Sequence, residues 1–286
     1  MTASGGVEHG GAGGPASASA SASAGGAGGE APSAGPRVAG PRVAVVTGGA
    51  SGLGLAICRH LARQGRRVAV LDIDGDAADR AARDLAAAGT EATSARVDVA
   101  DRAAVDAAYD KVRADLGPIH IVVTSAAIAS FRPFEEITLD EWNATLAVNL
   151  TGTFHCLQAA IPDMVAARWG RIVTLSSAAG QVGSVRQAHY SASKGGTIAL
   201  TKALAQEYAR RGITVNTIPP FSADTPMLRA AQSAGDLPGH DVVARMIPAG
   251  RLATGDDIAA ACAFLCSEEA GYITGQVIAV NGGAVV

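Results

Sequence analysis

The apolar run Val43-Ala44-Val45-Val46 passes directly into Thr47-Gly48-Gly49-Ala50-Ser51-Gly52-Leu53-Gly54, and that turn passes directly into LAICRHLARQ, a helical stretch. Strand, glycine turn and helix in this order leave few folds open. Glycines permit a tight turn and close backbone approach, while the free amides and positive dipole end of the helix attract a pyrophosphate. A second run, Arg67-Val68-Ala69-Val70-Leu71, follows and ends in Asp72. That places a carboxylate about 20 residues after the turn, where it can bind the ribose hydroxyls of a dinucleotide.

The rest of the chain repeats the alternation. Strands are expected at 42–48, 67–72, 94–98, 119–125, 170–176, 213–218 and 276–280, and helices near 53–64, 75–88, 101–116, 139–168, 188–211 and 255–267. Short β-branched runs between alanine-rich helices predict an α/β fold, a Rossmann-type doubly wound parallel sheet of about seven strands with helices on both faces in a single domain. Residues 1–40 are built from Gly, Ala, Ser and Pro with almost no large apolar side chain. Such a segment cannot offset its ordering entropy and is expected to be a disordered tail, leaving 41–286 as the domain. The irregular stretch from Phe221 to Ala253, after the sixth strand, is expected to cover the substrate as a lid.

Tyr190 and Lys194 stand four residues apart at the start of a helical stretch, so one turn puts them on one face. A phenol titrates near about 10, and an adjacent ammonium is expected to favour the phenolate and lower that value. The serine pair Ser176-Ser177 ends the strand-like run just upstream.

On these residues the chain resembles the short-chain dehydrogenase/reductase family, in its single-domain subgroup of about 250 residues, from about Arg42 to the C-terminus. The resemblance implies that TGGASGLG is the T-G-x-x-x-G-x-G cofactor loop, with Gly48, Ser51, Gly52, Leu53 and Gly54 against the cofactor, and that Asn149, Ser177, Tyr190 and Lys194 are catalytic. It implies adenosine contacts from Asp72, Ile73, Asp98 and Val99, and nicotinamide-side contacts from Ala126, Tyr190, Lys194, Pro220 and Thr225. The activity it implies is hydride transfer between a nicotinamide cofactor and a secondary alcohol or ketone. Tyr190 would move the proton, Ser177 would stabilise the alkoxide-like oxygen, Lys194 would bind the nicotinamide ribose, and the Asn149 amide would hold a water linking Lys194 to solvent. An asparagine here also suits backbone groups at a helix bend. A homotetramer, or sometimes a dimer, on the helices of Asn149 and Tyr190 is implied as well. Outward apolar positions such as Ile198, Leu200 and Leu204 point the same way.

Two segments depart from the family pattern. Thr124-Ser125-Ala126-Ala127 stands where the family has N-N-A-G, and Phe221 replaces the glycine after Pro220. The first exchanges amides for hydroxyls at a turn under the central strands, and the second puts a ring near the cofactor in place of a residue able to adopt positive φ.

Asp72 repels a 2′-phosphate and suits a free diol, and Ser51 stands where an NADP-preferring relative often has Arg or Lys, so NAD is expected. Arg59 or Arg96 keeps NADP possible. Substrate choice is open between a small-molecule alcohol or ketone and a 3-oxoacyl thioester carried on acyl-carrier protein or CoA. A catalytically idle cofactor-binding protein is a third reading. Enoyl reductases of related fold space their Tyr and Lys further apart, which counts against that chemistry.

Other features exclude rather than assign. The net charge of −3 gives no nucleic-acid footprint, and the sequence holds no uncharged apolar run long enough to span a bilayer. With no secretory or transit pattern at the start, a cytoplasmic location is expected. Cys58, Cys156, Cys262 and Cys266 read as buried hydrophobes, and no metal site is expected. His189, just before Tyr190, reads as a surface residue at a helix start that could line the substrate mouth.

Overall fold

The computed structural model describes residues 40–286. The tail reading of residues 1–40 therefore lies, Gly40 apart, outside the described residues.

Six strands form one wholly parallel sheet in the order β3-β2-β1-β4-β5-β6. They are β1 (Val43–Thr47), β2 (Arg67–Asp72), β3 (Ala92–Arg96), β4 (Ile119–Thr124), β5 (Gly170–Leu175) and β6 (Ile213–Ile218). All residues of β1, β4, β5 and β6 are buried, as expected of strands covered on both faces. Alternate side chains feed two separate cores. Val43 and Val45 join the core under α3 (Arg102–Leu116), α5 (Gly152–Ala167) and α7 (Ala188–Tyr208), with Tyr109, Leu157 and Met164. Ala44 and Val46 join the opposite core under α1 (Gly52–Arg63), α2 (Gly75–Ala87) and α10 (Gly255–Leu265), with Ile57, Leu61 and Ile258.

The expected seventh strand at 276–280 is not one. Val277 makes a single bridge to Thr217, with Thr217 N donating to Gln276 O and Ile278 N to Thr217 O. Gly275 and Gly282–Gly283, all at positive φ, bend the chain away on both sides before a ladder can propagate. The helix expected over 139–168 is also divided. Its parts are α4 (Leu139–Leu146), a π turn at Ala147–Thr151 and α5. A capping box formed by Thr138 and Glu141 starts α4.

The stretch 221–253 contains α8 (Pro226–Ser233) and α9 (His240–Met246). Leu228, Val243, Ile247 and Leu252 give it a small core of its own, and a bridge from Ala223 to Ala253 closes its base. Short α6 (Ala179–Val182) leads from β5 towards α7.

β1 continues to β2 and β3 on one side, and β4 continues to β5 and β6 on the other, so a crevice opens beyond the carboxyl ends of β1 and β4. The glycine turn is packed into that crevice. A Cβ on Gly54 would lie 2.0 Å from the Gly48 carbonyl oxygen, and one on Gly48, at φ +62, would lie 2.8 Å from the Ala126 backbone. We predict that Gly54→Ala forces helix and loop apart, lowering Tm by roughly 4–8 °C through about 2 kcal/mol of overpacking. Differential scanning calorimetry checks it, and an unchanged Tm would contradict the packing role.

Candidate active site

Each strand end supplies one part of the site. A cavity of about 520 Å³ runs along the carboxyl edge of the sheet. At one end it is lined by Asp72, Ile73, Asp98 and Val99, in the middle by Gly48, Ser51, Gly52, Leu53 and Ala126, and at the far end by Ser177, Tyr190, Lys194, Pro220 and Thr225. Gly54 and Asn149 do not reach it. Gly54 seats the start of α1 against the loop instead, as its contact with Gly48 requires.

The residues fit a dinucleotide. The Ser51 side chain makes no capping bond, so the first-turn amides of α1 remain available at the cavity wall. Gly52, at φ +50, lines the cavity, and a Cβ built on it would touch Thr225 and Pro226 at 3.6 Å. Asp72 ties β2 to the turn, its Oδ2 accepting from Ala50 N at 3.0 Å and its Oδ1 from Asp74 N at 3.1 Å. Lys194 is the sole basic side chain on the cavity wall among the described residues; neither Arg59 nor Arg96 lines it.

Lys194 and Tyr190 share a face of α7 as their spacing predicts, but the expected electrostatics do not hold. The Lys194 ammonium donates to Leu175 O at 2.8 Å and lies 5.7 Å from the centre of the Tyr190 ring. Lys194 is 3 % exposed, and burial lowers its pKa to about 8. The Tyr190 phenol is pushed above its ordinary value by burial, with partial relief from a hydrogen bond to Ser177. Desolvation outweighs the neighbouring amine, whose charge is directed at the carbonyl end of β5. Ser177 is oriented by Ala179 N, which donates to its Oγ at 3.1 Å.

Asn149 also differs from expectation. Its Oδ1 accepts from Ile128 N at 2.9 Å, and its Nδ2 donates to Ile128 O at 3.0 Å and Ser193 Oγ at 3.1 Å. Both amide hydrogens are thus taken by protein, and the amide oxygen has one protein donor. Its place in the π turn agrees with the alternative reading of an asparagine satisfying backbone at a helix bend. Ser193 Oγ in turn donates to Tyr190 O at 2.7 Å, joining the π turn to the first turn of α7. His189 is no surface residue: it is fully buried beside Ser130 Oγ at 2.7 Å and absent from the cavity wall. Helix α7 and the loop 128–131 close over it.

At the departures, Thr124 Oγ1 is buried without a partner, while Ser125 lines the cavity and donates its amide to Thr47 O at 3.1 Å. Phe221 also lines the cavity, and its backbone does not need the positive φ that a glycine would allow; Arg168 and Arg186 are the non-glycine residues there among the described ones. Arg186 carries a clasp. Its Nη2 donates to Asp236 Oδ1 at 3.1 Å and to Phe131 O at 3.4 Å, tying the segment after α8 to the opposite wall. Leu175 O, Ser193 and Gln187 are contributors that spacing alone did not single out. Ser193 had a visible signal in its position within YSASK, whereas a carbonyl partner leaves none.

Comparison with known proteins agrees with this geometry. The family profile described as Enoyl-(Acyl carrier protein) reductase matches residues 48–285. D-threitol dehydrogenase of Mycolicibacterium smegmatis is 40% identical over 86% of this chain and 93% of its own length. Acetoacetyl-CoA reductase of Shinella zoogloeoides is 42% identical over 85% of this chain and 98% of its own. Cis-4-hydroxycyclohexanecarboxylate dehydrogenase of Sinomonas cyclohexanicum is 42% identical over 85% and 96%. The crystal structure of gox2181 superposes with a TM-score of 0.81 at 33% identity, covering 86% of this chain and 96% of that one. With the glycine turn, the six-stranded sheet and these likenesses in agreement, the chain belongs to the short-chain dehydrogenase/reductase family, nicotinamide-dependent oxidoreductases acting on CH–OH groups.

Proposed function

We propose that residues 41–286 form a catalytic domain that uses NAD in preference to NADP to interconvert a small secondary alcohol and its ketone, with Tyr190, Ser177 and Lys194 as the working groups. The observation that carries this reading is one cavity lined by Asp72, the uncapped start of α1, Ser177, Tyr190 and Lys194. The bound nicotinamide would accept or deliver the hydride at the substrate carbon. Held by the Ala179 amide, the Ser177 hydroxyl keeps its proton to donate towards the substrate oxygen. Tyr190 moves the substrate's hydroxyl proton. Its raised pKa keeps it the neutral acid, ready to protonate a reduced carbonyl oxygen. Lys194 holds positive charge beside the ring below pH of about 8, which favours the reverse step, where Tyr190 must be a phenolate to accept the alcohol's proton. Asn149 acts as a positioning residue, fixing Ile128 and, through Ser193, the start of α7.

The relative that reduces acetoacetyl-CoA supports a second reading, reduction of a 3-oxoacyl thioester. Four buried free cysteines suit a reducing, cytoplasmic setting. A homotetramer remains our reading from the family resemblance, because Leu200 and Leu204 pack on the chain's own core and no longer argue for a partner.

Three outcomes test these assignments. In a screen of alcohols, ketones and acetoacetyl-CoA followed by NADH absorbance, Tyr190→Phe should lose about 10²–10⁴-fold in kcat while still binding NAD. Retained turnover would remove Tyr190 from the chemistry. Asp72→Ala should lower the NAD-over-NADP ratio of kcat/KM by about tenfold or more as the charge facing a 2′-phosphate disappears. An unchanged ratio contradicts its role. Lys194→Met should be the more stable protein below pH 8, since burial disfavours the ammonium there. The parent should close that gap as pH rises from about 8 towards 10.5, where the folded protein has shed a proton that the unfolded chain still holds. Urea melts across that range check it, and a constant gap would rule the depressed pKa out.

A further inference from the structure

Gln187 occupies the N-cap of α7, three residues before Tyr190, and lines the same cavity while only 7 % exposed. Its side chain does not cap the helix. Instead, Oε1 accepts from Ser184 Oγ at 2.8 Å, and Ser184 is itself held through its amide, which donates to Ser191 Oγ at 3.1 Å. The oxygen end is therefore spoken for. The Nε2 end donates to no acceptor among the described residues and is not a fully buried atom, in a cavity lined by apolar Ile128, Phe131, Val182, Phe221, Met227 and Leu237 as well as by Ser177 and Tyr190. An amide donor held by its oxygen end at the cavity surface is oriented for any substrate acceptor that displaces its water.

We infer that Gln187 is a specificity-determining residue that donates to a second oxygen of the substrate. Gln187 stands just before α7 and Tyr190 lies in its first turn, and both line the cavity. Gln187 and Tyr190 can thus grip two oxygens of one small molecule, the reacting one at Tyr190 and an acceptor one or two carbons further on. The chemical class is an uncharged, largely apolar secondary alcohol or ketone carrying a neighbouring hydroxyl or carbonyl. Apart from Lys194, one of whose donors goes to Leu175 O, no basic side chain among the described residues lines the cavity to receive a substrate carboxylate or phosphate. This assignment rests on the oxidoreductase reading proposed above and deepens it.

The test compares pentane-2,4-diol with pentan-2-ol, which lacks the second oxygen, in the full-length protein with NAD. The parent should favour the diol in kcat/KM by about tenfold, the consequence of a donor paired by one bound substrate and desolvated without a partner by the other. Gln187→Leu should reduce that ratio to near one. Gln187→Glu, similar in size but an acceptor only when ionised, should reduce it as well. A ratio retained in either variant, or a parent that turns over pentan-2-ol equally well, overturns the role of Gln187 while leaving the oxidoreductase reading intact. Turnover of neither alcohol by the parent sinks this substrate class. If ketones, other alcohols and acetoacetyl-CoA are inert too while NAD still binds, the reading beneath it falls as well. Because the readout is a ratio within one protein sample, partial misfolding of a variant cancels.

Discussion

Everything at the site depends on β1 and β4 being neighbours whose chains then diverge. The last main-chain bond between them, from Ser125 N to Thr47 O, closes the sheet just before the glycine turn departs. Below it, side chains from both strands fill two dry cores. Above it there is no ladder to occupy the space, and the amides of α1, the Asp72 carboxylate and the Ser177 hydroxyl are left pointing into one crevice. The site is thus the part of the sheet that the topology cannot fill with itself.

Within that crevice burial outweighs pairing. Tyr190 and Lys194 are each displaced in the direction that disfavours their charged forms, and the carbonyl of Leu175 alone among the described residues receives the ammonium. Such a pair is kept neutral or singly charged until something polar enters. Under the proposed function, that resting state suits transfer of one proton between Tyr190 and a bound substrate.

Much of the architecture was legible because it is periodic. Two faces of a parallel sheet both need apolar cover, so the β-branched runs at 43–46, 67–71 and 119–124 read clearly as strands, and the glycine turn fixed which strand comes first in the binding crevice. The run at 276–280 looked equally apolar, but glycines on either side limit it to one bridge. What remained hidden was contact between residues distant in sequence. Nothing in VNLTG announces that Asn149 is clamped to Ile128, or in HYSASK that His189 is sealed beneath Ser130. The phenol shifts against the direction its spacing predicts for a related reason: spacing reports proximity along a helix, whereas desolvation depends on everything folded around it.

The five-residue π turn at Ala147–Thr151 has a consequence beyond local geometry. By admitting a wider coil, it offsets the angular phase of α4 from that of α5, so that one continuous rod can present different stripes to its surroundings on either side of Asn149. Rewinding it to an ordinary pitch would slip one stripe round by a residue's rotation and leave Asn149 facing away from Ile128. The irregularity works as a clutch between two helical registers, and the asparagine's three bonds keep it engaged.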